Sequence, residues 1–170
     1  HRIRRPEPQE LTGMLDTYRT HGPVITSREG QIAPLCFGMP YDGRTRTAPI
    51  YPLTTLALLA CSQPVVLQGG ERMPIKYGVT AIDLFDALGL DLRGLGLDTV
   101  QQGFDHHGFA LIHQPDHFPI AETLITYREE LGKRPPVASL ELIWTPHQGR
   151  HLLVSGFVHP PTESRAWKAL

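Results

Sequence analysis

The chain has 170 residues and a net charge of -1 with its histidines neutral, and its isoelectric point lies near 6.8. That length allows one domain with a real core. The balanced charge gives no global basic field of the kind that announces a nucleic-acid binder. No apolar run reaches the roughly eighteen residues that a membrane-spanning helix needs.

Residues 8 to 19, PQELTGMLDTYR, place Leu11, Met14, Leu15 and Tyr18 at helical spacing, and His21-Gly22-Pro23 ends the pattern. Residues 32 to 37, IAPLCF, predict a short strand, followed by a polar loop with a turn at Asp42-Gly43. TTLALLAC, 54 to 61, predicts a buried helix whose leading Pro52 suits a first turn. Pro64 closes it, and Val65 to Leu67 form the next strand. Thr80 opens another helix through a Thr80-x-x-Asp83 capping box, with Ile82, Phe85 and Leu88 as its apolar stripe and Gly89 as a left-handed stop. A Gly-rich connection leads to the strand FALIH, 109 to 113. IAETLITYREEL, 120 to 131, predicts an amphipathic helix closed by Gly132, and RHLLVSGFV, 150 to 158, a final strand. Strands alternating with helices predict an α/β class with a mostly parallel sheet flanked by helices. Cys36 and Cys61 both lie in apolar stretches and read as buried thiols of a reducing, cytoplasmic setting. The start at His1 and the ESRAWKAL end, without an evident final element, suggest a piece of a longer protein.

Ligands on parallel sheets bind beyond the carboxyl ends of strands. Two loops occupy such places. FGMPYDGRTRT, 37 to 47, offers Arg44 and Arg46, whose planar forks match phosphate and carboxylate. QGGERMPIKYG, 68 to 78, offers Arg72, Lys76 and close backbone approach at Gly69 and Gly70, with a helix start just downstream. Neither loop has the P-loop or dinucleotide pattern. DHHGFALIHQPDH, 105 to 117, concentrates four histidines and two aspartates, but their spacing matches no standard zinc motif and they flank a strand. They read as histidines satisfied within loops. Glu129-Glu130, with Lys133 and Arg134 beyond, reads as a solvated helix end.

The run TAPIYPLTTLALLACSQPVVLQGGERMPIKYGVTAIDLFDALGLDL, together with RIRRPEPQELTGML, HFPIAETLITYREELGKRP and TPHQGRHLLVSGFVHP, resembles the anthranilate phosphoribosyltransferase family in order along nearly the whole chain. It most resembles a divergent, anthranilate phosphoribosyltransferase-like subfamily. The resemblance implies the α/β catalytic domain shared with pyrimidine nucleoside phosphorylases. Residues 1–23 would be the end of an N-terminal helical domain and 24–170 part of the catalytic domain. It also implies phosphoribosyl pyrophosphate as ligand, with Mg2+ and a small amine acceptor such as anthranilate.

Carried over by position, Asp42, Gly43, Arg44, Arg46, Thr54, Gly69, Gly70, Arg72 and Lys76 would meet the sugar phosphate. His117, Arg128 and Arg134 would meet the acceptor. The acidic pair that holds magnesium in the family has no counterpart before Leu170, so no metal ligand is expected in this chain. The first loop departs from the family's Gly-Thr-Gly-Gly-Asp-Gly, keeping a glycine and Asp42-Gly43 but placing Pro40, which has no amide to donate, among them.

Three functions follow: a phosphoribosyltransferase with a changed acceptor, a catalytically silent binder of single-stranded nucleic acid on the same scaffold, or a paralogue with a structural role. Homodimerisation through the helical domain is expected of the family.

Overall fold

The computed structural model describes residues 5–47, 49–132 and 135–170. Its strands, in chain order, are β1 (Ile25–Thr26), β2 (Leu35–Gly38), β3 (Val65–Gly69), β4 (Phe109–His113), β5 (His147–Gln148) and β6 (Leu152–Ser155). Four of them form the central sheet in the order β4-β3-β2-β6, with every pairing parallel. β1 and β5 form a separate parallel pair. The helices among the described residues are α1 (Pro8–His21), α2 (Tyr51–Ala60), α3 (Ala81–Ala87), α4 (Leu97–His107), α5 (Gln114–His117), α6 (Pro119–Glu122), α7 (Ile125–Leu131), α8 (Val137–Ile143) and α9 (Pro160–Ala169). The class is α/β with parallel strands flanked by helices, as the alternation predicts.

The two-residue period of the strands divides the core. Cys36, Val66, Ala110 and Ile112 face one side, where Val100 and Phe104 of α4 and Ile25 of β1 cover them. Val65, Leu67 and Leu111 face the other, under Ile82 and Phe85 of α3 and the flank of α2. Strands buried on both faces are what parallel sheets require, and β3 is buried at all five positions. Each fully buried aliphatic or aromatic side chain contributes about 1.5–3 kcal/mol. A third cluster packs Leu11, Leu15 and Tyr18 of α1 against Leu140 and Ile143 of α8, Trp144, and Ala166 and Ala169 of α9. Tyr18 meets Phe118 and Trp144 edge-on, with ring centroids 5.0 and 5.6 Å apart.

Two buried titratable groups sit beside β2. Burial pushes the Cys36 thiol up to about 11, a hydrogen bond with Thr145 offsetting part of the shift. Burial, helped by nearby His151, pushes the His147 imidazole down to about 4.

Several expectations are corrected. The helix of TTLALLAC begins earlier, at Tyr51, and is not buried: Leu53 and Leu56 are exposed, and only Pro52 and Thr55 are fully covered. Leu88 ends α3 in solvent rather than in its apolar stripe. The single helix expected over 120–131 is broken into α6 and α7 by a turn at Thr123-Leu124. The final strand shrinks to Leu152–Ser155 because the chain leaves the sheet at Gly156. The Gly-rich connection contains α4, whose Leu97, Val100 and Phe104 recur at helical spacing. The last residues, which read as lacking an element, form α9. Cys61 is exposed at the end of α2, whereas Cys36 is buried.

The capping box is realised. Thr80 accepts from the Asp83 amide at 3.4 Å and its own amide donates to the Asp83 carboxylate at 3.1 Å. Thr80→Ala removes one of these bonds and is expected to cost about 1 kcal/mol, read as a lowered urea midpoint with unchanged slope.

Candidate functional site

The chain runs β2, β3, β4 toward one edge of the sheet and then returns to lay β6 on the other side of β2. Strand order therefore reverses at β2, and the space beyond the carboxyl ends of β2 and β6 is where such sheets open a crevice. A cleft of about 1100 Å³ lies there. One wall is the loop after β2, with Pro40 and Gly43 to Thr47. The opposite wall is the segment after β6, with Gly156 to His159, followed by Thr162 and Arg165 of α9. Lys76 enters from the loop after β3, and Pro135, Ala138 and Leu142 supply apolar floor around α8.

The charges in this lining have one sign. Arg5, Arg44, Arg46, Lys76 and Arg165 border the cleft with His159, and no Asp or Glu does among the described residues. Pro40, in the wall after β2, has no N–H to offer an anion. The guanidinium forks of the arginines and the Lys76 ammonium have the geometry to meet phosphate or carboxylate oxygens. Burial pushes the Tyr51 hydroxyl, near this loop, up to about 12, with the Arg44 charge pulling against it.

The two basic loops meet through their backbones. Arg44 and Val79 exchange N–H to carbonyl bonds at 3.0 Å each way, and the Gly78 amide donates to the Asp42 carbonyl at 3.0 Å. The crossing depends on two glycines. Gly43 has φ +73°, and a Cβ there would stand 2.5 Å from the Gly78 backbone. A Cβ on Gly78 would stand 2.6 Å from the Arg44 amide nitrogen. Below the crossing, the fully buried Asp42 carboxylate takes Lys76 Nζ at 3.3 Å and holds the half-exposed ammonium at the cleft edge.

Of the residues expected to bind the sugar phosphate, Gly43, Arg44, Arg46 and Lys76 line this cleft, and Asp42 anchors it from beneath. The others are elsewhere. Thr54 lies on the exposed side of α2, its hydroxyl donating to the Ile50 carbonyl at 3.2 Å. Gly69 ends β3, and Gly70 is packed between Met73 and Tyr41. Arg72 pairs with Asp83 at 3.0 Å, within a network where Arg93 holds Glu71 at 2.6 Å and Asp83 at 3.1 Å. The downstream helix start is already occupied by its own Asp83.

His117 is fixed on both ring nitrogens: it accepts from the His113 amide at 3.0 Å and contacts the Leu95 carbonyl at 2.8 Å. Arg128 is buried and paired with the equally buried Glu141. Arg134 lies outside the described residues. His106 is held by the Gln102 carbonyl, and His113 contacts Asp116 at 2.6 Å. Burial acts to raise the Asp116 carboxyl, but hydrogen bonds from His113 and the Gly94 amide hold it below the ordinary range.

Sequence reasoning overlooked Arg5, His159 and Arg165, which the fold brings from both ends of the chain to face Arg44 and Arg46. The signal available was the basic opening run and an arginine one turn past Pro160-Pro161. It also overlooked Glu141. Its carboxylate accepts from the Tyr41 amide at 3.0 Å, and its carbonyl accepts from the Met39 amide at 3.0 Å. Glu141 thus holds the start of the site loop.

No known protein-family model matches the chain. A protein of Aquifex aeolicus (strain VF5), described as uncharacterized, is 26% identical over 168 residues, which are 97% of this chain and 48% of that protein. The crystal structure of anthranilate phosphoribosyltransferase (TrpD) from Thermus thermophilus superimposes with a TM-score of 0.77 over 98% of this chain and 49% of the enzyme, at 20% identity. The chain shares the fold of the part of that enzyme it matches. It spans about half the length of the proteins it matches. The expected fold is therefore found, and the identity is low enough that likeness carries fold and not chemistry.

Arg128 and Glu141 are each under 4% exposed. Arg128→Leu would strand a buried carboxylate, and is expected to cost about 3–5 kcal/mol in urea unfolding. A stability loss much below about 1 kcal/mol would remove Arg128 from the core and return it to the candidate ligand-binding groups.

Proposed function

We propose that the chain carries the phosphate-binding part of a phosphoribosyltransferase-like protein, taking phosphoribosyl pyrophosphate or a close relative in the cleft between the β2 and β6 loops and passing its ribose phosphate to an amine acceptor. The single observation behind this reading is the lining itself: five cationic side chains, no carboxylate among the described residues, at the switch point of a parallel sheet. A sugar diphosphate carries several negative charges, and the bond that breaks in pentosyl transfer leaves more of that charge on the departing pyrophosphate. Fixed cations aimed at that place stabilise the transition state more than the ground state. Arg44 and Arg46 suit bidentate phosphate contacts, and Lys76, steadied by Asp42, supplies a point charge.

The family's Mg2+ does not fit this part of the site. The described lining offers it no carboxylate, and Asp42, beneath it, is buried against Lys76. Neutralising the pyrophosphate within this cleft falls to the arginines and Lys76. Arg128 and His117 are held by internal partners, so the acceptor would be met by groups other than these two.

The single sign of charge in the lining also suits a second reading. In a single-stranded nucleic acid the phosphates would follow the same cations.

Calorimetric titration of the intact protein with phosphoribosyl pyrophosphate separates these readings. Saturable binding weakened by at least about tenfold each by Arg44→Ala and Lys76→Ala is expected, since a hydrogen bond to a charged group contributes about 1.5–3 kcal/mol. A flat titration from folded protein sinks the transferase reading. Oligonucleotide binding that falls steeply with salt, from the same sample, would then establish the second.

A further inference from the structure

We propose that Cys36, His147 and His151 form a binding site for a zinc-class transition-metal ion, separate from the anion cleft. Cys36 Sγ and one ring nitrogen from each histidine all lie within 4.8 Å of one another. Tetrahedral zinc with bonds of about 2.0–2.3 Å sets its ligands about 3.3–3.7 Å apart. The three atoms thus stand within a modest side-chain adjustment of a coordination triangle. None of the three residues lines the anion cleft.

The outer contacts fit the same conclusion. A metal-binding imidazole gives one nitrogen to the metal and hands its other to an oxygen that fixes the ring. In His147, Nε2 contacts Ser27 Oγ at 2.8 Å, while Nδ1 is buried with no hydrogen-bond partner. In His151, Nδ1 contacts the Gly149 carbonyl at 2.8 Å, which places its proton there and leaves Nε2 with the lone pair. Each histidine thus has one ring nitrogen held by an oxygen and the other left for a ligand bond. A buried nitrogen without a partner has lost its water and gained nothing in return. His147 is only 4% exposed, and a metal ion would give that nitrogen a partner.

The donor set selects the metal. Thiolate and imidazole suit zinc and its neighbours, whereas magnesium and calcium demand oxygen ligands. A path for the ion exists. A second cleft, of about 270 Å³, opens onto His147 past Ser27, Gln31, Gln148, Gly149 and Arg150. Three protein ligands leave a fourth tetrahedral position for water. Binding is balanced by loss of one proton: the Cys36 S–H bond breaks, the S–metal bond forms, and the proton passes to solvent. The ion would tie β2 to β5 and to the turn before β6.

Cobalt(II) is the probe, because a thiolate ligand gives it an intense near-ultraviolet charge-transfer band and tetrahedral coordination gives strong visible bands. The intact protein, stripped with chelator, is titrated with Co2+ and then with Zn2+. The proposal expects one Co2+ per chain with the thiolate band, release of about one proton per ion, and displacement by Zn2+ but not by excess Mg2+. Cys36→Ser should abolish the band. His151→Gln, at a half-buried position that tolerates change, should weaken binding at least about 100-fold, and Ser27→Ala about tenfold as a positioning contact. Absence of the thiolate band in folded wild-type protein overturns the proposal. So does Co2+ binding that is unchanged in His151→Gln, which would mark an adventitious surface histidine site; this variant decides the matter even if Cys36→Ser does not fold.

Discussion

The candidate anion site rests on one buried carboxylate. Glu141, on α8, receives the Tyr41 amide on its side chain and the Met39 amide on its carbonyl. Gln68, at the end of β3, donates to that same carbonyl at 3.3 Å and to the Trp144 carbonyl at 2.6 Å. The chain leaving β2 is therefore docked on α8 by backbone bonds before it turns at Asp42 and Gly43. Those bonds need a charged group inside the core, and Arg128 is what makes that charge tolerable. Removing either partner leaves a desolvated ion, which is far costlier than replacing both. The arginine that resemblance assigned to an acceptor thus acts, in this fold, as the counter-ion of a positioning carboxylate.

The position of the cations follows. With Met39 and Tyr41 fixed, Gly43 crosses Gly78 at backbone contact distance, and Lys76 is drawn down to Asp42. Arg44 and Arg46 then follow a loop start fixed by backbone bonds at Met39, Tyr41 and Arg44. β6 supplies the facing wall because its register against β2, from Leu35↔Leu152 to Gly38↔Ser155, brings both strands to an end at the same level. Each piece of the site is located by a backbone constraint, which is why a cluster of like charges can be held together without a carboxylate among the described lining.

Much of the fold was legible in the sequence, because its signals are local. Thr80 and Asp83 are three residues apart and form the box they announce. The apolar runs at 65–67 and 109–113 are strands because each is short, continuous and bounded by breakers. The misses have local causes too. α8 follows a Pro-Pro pair and α9 begins with one, and such pairs read as loop punctuation although proline is also suited to a helix's first turn. α4 was hidden by its glycines and terminal histidines, even though Leu97, Val100 and Phe104 kept the helical period. TTLALLAC read as buried from composition alone, but burial depends on what packs against the helix, and α2 presents Leu53 and Leu56 to solvent.

The sites were legible only in part, for a different reason. A basic loop can be seen in sequence, but whether its charge is available depends on partners elsewhere in the chain. Arg44 and Arg72 look alike as letters. Arg72 is met by Asp83 across a turn, while Arg44 shares a cleft with Arg165 from the far end of the chain. The same limit applies to Cys36, His147 and His151. The four histidines between 106 and 117 drew attention because they are close in sequence, and His106, His113 and His117 are each held through a ring nitrogen by a local carbonyl, carboxylate or amide. The residues that converge come from β2, β5 and the turn before β6, and parallel pairing of β2 with β6 is what brings them to one place. In a parallel sheet every such convergence requires a long crossover, so the chemistry of these sites is written in the strand order rather than in any short motif.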